Sequence, residues 1–109
     1  VFKEAYSFSK EAGWWDDVDL DATTPTKLCL IHSEISEAME GHRKQLTDDH
    51  LPNYPMMAVE LADAVIRIAD LAGAWGFDLE QIITEKMAYN KTRNDHSLEA
   101  RSAEGGKRY

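Results

Sequence analysis

Apolar positions recur along this chain at the three- and four-residue spacing of helices, and no segment shows a convincing two-residue alternation. A first helix is expected over about Phe2 to Gly13, with Phe2, Ala5, Tyr6 and Phe8 on one side. Trp14 and Trp15 follow, then an acidic, irregular stretch from Asp16 to Asp21. Thr24 and Pro25 read as the start of a second helix: a threonine N-cap, then a proline at the first helical position, where its missing N–H costs nothing. That helix is expected to reach about Lys44. A polar loop, Thr47 to Asn53, leads into a third helix opened by Pro55 and stopped at Gly76. Asp78 and Gln81 read as a capping box for a fourth helix, expected to run to about Arg93. The chain thus divides into a helical domain, residues 1–94, and a polar tail, residues 95–109.

Four consecutive helices with short connections predict an all-α four-helix bundle. The third helix is more specific. Advancing by roughly 100° per residue, Leu61, Ala62, Ala64, Val65, Ile66, Ile68, Ala69, Leu71, Ala72 and Trp75 cover most of its circumference. Such a helix must be central, and three neighbours in one short chain would hardly cover it. Assembly as a homo-oligomer, a homodimer or larger, is therefore expected.

The narrow polar arc of that helix holds Glu60, Asp63, Arg67 and Asp70. Residues three apart share a face, so Glu60 and Asp63 present neighbouring carboxylates. Glu34 and Glu37 do the same on the second helix, bracketing Leu30, while Ser33, Ser36 and Glu40 take the solvent side. The pattern is E-x-x-E and then, after residues 38–59, E-x-x-D. Antiparallel packing would set the two pairs face to face. Two carboxylates about 4–5 Å apart repel by roughly 3–4 kcal/mol at an effective dielectric near 20, so the group needs a proton or a cation. Oxygen-only ligands select hard ions, Mg²⁺ with Mn²⁺ as an alternative, over zinc. A di-iron carboxylate site of the ferritin kind would need E-x-x-H, and none of His32, His42, His50 and His96 has an acid three residues before it. Arg67 is placed to neutralise Asp63 or Asp70 within its own helix.

On the fourth helix Lys86, Asn90 and Arg93 fall at i, i+4 and i+7, one line offering an ammonium, an amide and a forked guanidinium to phosphate oxygens. The same cations would also suit a solvated helix end. Net charge narrows the partners. With 20 acidic against 12 basic side chains, a formal charge of −8, the chain is a poor match for a nucleic-acid polymer. One small phosphorylated ligand remains open to it, bridged by a divalent cation. No apolar run approaches the ~20 residues of a membrane span, and no leader-like apolar segment stands at the start, so a cytoplasmic address is expected. The single cysteine, Cys29, reads as a small, half-buried helix residue rather than a reactive thiol.

Glu34-Ile35-Ser36-Glu37, Glu60-Leu61-Ala62-Asp63 and Lys86-Met87-Ala88-Tyr89-Asn90-Lys91-Thr92-Arg93 together resemble the MazG-like all-α nucleoside triphosphate pyrophosphohydrolases. Relatives in that family include dimeric dUTPases, dCTP pyrophosphatases and phosphoribosyl-ATP pyrophosphatase. The likeness covers about Lys27 to Arg93. It implies a helical bundle acting as a dimer or a dimer-of-dimers tetramer, which hydrolyses the α–β phosphate bond of an NTP, most simply a dNTP, in nucleotide-pool house-cleaning. It also implies Mg²⁺ on Glu34, Glu37, Glu60 and Asp63, with Glu37 and Glu34 the catalytic acids, and phosphate contacts from Lys86, Asn90 and Arg93. Many members have a double acid, E-E-x-x-E, where Ser33 stands here, which leaves open the number of metals and the identity of the base. Trp14 and Trp15 are candidates for stacking on a base. The sequence also admits a non-catalytic interaction or regulatory module with an acidic surface, and an enzyme of this fold acting on a non-canonical phosphorylated metabolite.

Overall fold

The computed structural model describes the backbone of residues 1–102 and the side chains of residues 1–93. Among the described residues the chain forms four α-helices and no strand: α1 (Phe2–Glu11), α2 (Leu20–Lys44), α3 (Met56–Ala74) and α4 (Leu79–Ser102). They fall into two compact units, one ending at Phe77 and one starting at Asp78. No helix among the described residues is long and apolar enough to cross a membrane.

In the first unit α3 packs against both α2 and α1, the central place its apolar circumference demands. Ala38 of α2 and Ala64, Ala69, Leu71 and Ala72 of α3 form its buried apolar core. Small residues dominate because the helices approach closely. A Cβ on Gly41 would meet Met56 Cβ and Cγ at 2.8 Å, and one on Gly73 would collide with Tyr6 Cβ and Cγ. The rest of the apolar stripe on α3 stays open within one chain: Leu61, Val65 and Ile66 are 46%, 44% and 48% exposed. Cys29, expected half-buried, is exposed.

Three helix boundaries differ from the sequence reading. α2 starts before Thr24-Pro25, at Leu20, because Asp19 is the stronger cap: its side chain accepts from Ala22 N at 3.1 Å. Pro25 therefore lies inside the helix, where it withholds one backbone N–H. Thr24 instead donates to Leu20 O at 2.7 Å and accepts from Trp75 Nε1 at 2.8 Å, tying α2 to the end of α3. α4 continues past Arg93 to Ser102, since no glycine or proline interrupts it before Gly105. Residues 95–102 of the expected tail are thus helical, and the remainder lies outside the described residues.

α1 stops at Glu11, two residues before the expected Gly13, while the other expected ends hold. Pro55 precedes α3 as its N-cap, and Gly76 closes it with φ 75°. Asp78 Oδ1 accepts from Gln81 N at 3.1 Å, half of the capping box, while the Gln81 amide turns toward Glu85. At the end of α2 a non-glycine takes the left-handed position. Gln45 has φ 54°, and Leu46 N returns to Gly41 O at 3.0 Å. The chain then folds back through residues 46–56, with Asp48 N bonded to Tyr54 O at 3.1 Å and Met56 N to Leu46 O at 2.9 Å. That closed loop sets α3 against α2.

Candidate metal centre

The interface between α2 and α3 draws acids from both sides. Glu34, Glu37 and Glu60 each bring a carboxylate oxygen to within 4.8 Å of the others. Glu34 and Glu60 are buried, at 8% and 9% exposure, and Glu37 is the exposed member. Asp63, half-buried and one turn beyond Glu60, is not part of that tight trio, although the charges of Glu34 and Glu37 reach it. The structure thus brings three of the four expected ligands together directly and sets the fourth beside them.

The trio is electrostatically strained. Glu60 Oε2 is buried and has no hydrogen-bond partner. A hydrogen bond with Glu34, burial, and the bond and charge of Glu37 push the Glu60 carboxyl up to about 8. Glu34 moves the other way: Glu60's hydrogen bond, and then the Arg67 guanidinium, hold it below the usual carboxylate range against the effect of burial. Two ionised carboxylates have no hydrogen to share, so at neutral pH a proton on Glu60 bonds to ionised Glu34. Burial, then the charge of Glu34, raises Asp63, with Arg67 opposing and Asp48 and Glu37 adding to the rise.

Arg67 makes its direct ion pair off its own helix, although its charge still reaches Asp63. Its Nε donates across the interface to Glu34 Oε1 at 2.9 Å. Asp70 is served elsewhere, accepting from Ser9 Oγ at 3.0 Å and Trp15 Nε1 at 2.8 Å, which fastens α1 and the residues after it to α3. Neither partnership was readable in sequence, because both join residues more than thirty positions apart. Arg67→Met keeps the aliphatic stem and removes the charge. With the Arg67 and Glu34 side chains 41% and 11% exposed, the pair is only partly screened. The substitution is expected to destabilise the metal-free protein by about 1–2 kcal/mol, allowing for solvent on the arginine side. Urea unfolding in chelator measures this, and an unchanged midpoint would dismiss the ion pair as a support.

Trp14 and Trp15 lie beside this region. With Lys27, Arg67, Asp70 and Leu71 they line a recess of about 30 Å³, the room of a single water. The Trp15 ring carries the Lys27 ammonium at 5.0 Å, whereas Trp14 is 67% exposed. In the second unit Lys86, Asn90 and Arg93 are all exposed. Lys86 and Arg93 flank the Tyr89 ring, 4.7 and 5.9 Å from its centroid.

The acid trio fits a hard divalent cation. An octahedral ion with bonds of about 2.1 Å spaces its oxygens about 3 Å apart when adjacent and about 4.2 Å when opposite, so the three carboxylates would draw in around it. The orphaned oxygen of Glu60 would gain a partner, and the repulsion among the three charges would be offset. Glu34, Glu37 and Glu60 would hold such an ion, with Asp63 adjacent. No family model, no curated protein and no solved structure matches this chain.

Proposed function

We infer that the protein is a Mg²⁺-dependent hydrolase that cleaves a nucleoside triphosphate, most simply a dNTP, between its α and β phosphates, as the MazG-like motif pattern implies. One observation carries this reading. Three carboxylates from two helices converge within 4.8 Å, and a buried oxygen of one lacks a partner. Acids kept only for solubility face water and spread apart. These are drawn together, two of them buried.

When bound, the cation supplies positive charge for the phosphate oxygens and acidity for a water. The residues would divide the rest. Glu34, Glu37 and Glu60 would hold the ion, with Asp63 beside them. Glu37, the accessible acid, takes a proton from the water whose oxygen attacks the α-phosphorus. The bond from that phosphorus to the bridging oxygen breaks, and pyrophosphate leaves. Lys86, Asn90 and Arg93 are assigned to phosphate oxygens on the motif alone. Assembly with further copies belongs to the same proposal and is supported by the uncovered apolar positions of α3.

A second reading has its own support. Arg67 already supplies Glu34 with a cation, as a purely structural cluster in an interaction module would require. Pyrophosphate release from each canonical ribo- and deoxyribonucleoside triphosphate, with and without Mg²⁺, separates the two. Cation-dependent release is expected from at least one substrate. Glu37→Gln should lower it by about 100-fold or more with helical content intact. No release from any triphosphate would favour the module.

A further inference from the structure

Beside the trio, on the side of the loop joining α2 to α3, lies an open recess of about 250 Å³ lined by Leu46, Thr47, Asp48, Asp49, Met56 and Glu60. It is much larger than a single water needs. Glu60, only 9% exposed, is the residue common to this recess and the acid trio, and its Oε2 is the oxygen without a partner. Asp48 is the half-buried acid on the recess's loop side.

Asp48 is held in place. One oxygen, Oδ2, accepts from His50 N at 2.9 Å and from Leu51 N at 2.8 Å. Its own N–H donates to Tyr54 O at 3.1 Å. These bonds fix the carboxylate without using Oδ1.

We propose that Asp48 supplies a further carboxylate to the divalent-cation site, closing it from the loop side through the recess it shares with Glu60. The inference rests on the cation reading of the acid trio and adds a ligand donor from outside both paired helical motifs. It makes the loop part of the site. A cation there would draw donors from α2, from α3 and from the segment between them, so binding would tie the loop to both helices.

The test is Mn²⁺ binding, read by the loss of the free-ion electron paramagnetic resonance signal, in the full chain. Asp48→Asn and Asp48→Ser both remove the charge yet keep an oxygen that can accept from His50 N and Leu51 N, so the turn survives. Asp21→Asn makes the same charge change at an exposed site on α2 and is the control. Each Asp48 variant is expected to bind Mn²⁺ about tenfold more weakly or worse, with the control unchanged. A smaller loss in a variant of native helical content overturns the role of Asp48 while leaving the trio intact. Failure of the unmodified protein to bind Mn²⁺ overturns the cation reading itself and this inference with it. A control variant as impaired as the Asp48 variants reduces the effect to net charge and also overturns the assignment.

Discussion

Glu60→Gln is expected to raise the melting temperature of the metal-free protein above neutral pH while abolishing cation-dependent turnover. The Glu60 carboxyl titrates at about 8 in the folded protein, against an ordinary value of 4.5. Between those values the native state keeps a proton that the unfolded chain has released. The stability this proton contributes is complete below about 4.5 and is lost as pH rises through about 8. Glu34 runs in the opposite sense. Its folded value is lowered, so its contribution is present above the ordinary value and disappears on acidification through the lowered one. Glutamine carries a permanent amide N–H where Glu60 needs a proton, and it cannot ionise. Thermal melts in chelator from about pH 5 to about pH 9 should show the wild type losing stability as the proton leaves, with the variant nearly level across the same interval. Parallel curves would mean that Glu60 is not a strained acid. The gain in stability comes with a loss of function, because an amide is a poor ligand for a hard cation. A residue kept only for packing would show no such opposition.

Gly73→Ala is expected to cost about 2–3 kcal/mol of stability, as overpacking at a rigid contact does. The position meant for its Cβ is already filled by Tyr6 Cβ and Cγ, atoms next to the α1 backbone that cannot swing aside. α1 must retreat from α3 to admit the methyl group. The two bonds to Asp70, from Ser9 Oγ and Trp15 Nε1, depend on the same approach and would lengthen with it. Urea unfolding at unchanged slope is the measurement. A difference below about 0.5 kcal/mol, the usual size of a surface substitution, would show that α1 yields freely there.

What could be read in sequence was local. α3 carried its own evidence in a proline start, a glycine stop and an apolar circumference, and the structure keeps all three. Glu34, Glu37 and Glu60 were visible as a spacing, because three residues of helix turn side chains to one face. The start of α2 misled, since Thr24-Pro25 has the form of a helix entry while Asp19, earlier in the chain, makes the actual cap. Helices lengthen to the first good cap that packing tolerates, and a proline near the start is tolerated. Long-range pairing was illegible. Arg67 had two acids at helical spacing on its own helix and bonds instead to Glu34. Asp48 looked like one polar residue of a loop, and only the closure of that loop, Asp48 on Tyr54 and Met56 on Leu46, sets it on the recess that Glu60 also lines. No periodicity announces such a residue.

The close contact of Gly41 with Met56 has a consequence for the acids. Glu37 lies one turn before Gly41, and Glu60 one turn after Met56, so this close contact between the two helices adjoins the carboxylates. The gap between those oxygens is therefore gauged by backbone, through a missing side chain, more than by the reach of any glutamate. A methyl group there would act as a shim, parting both acidic rows at once and altering the calibre of the proposed cation site before any ligand was changed.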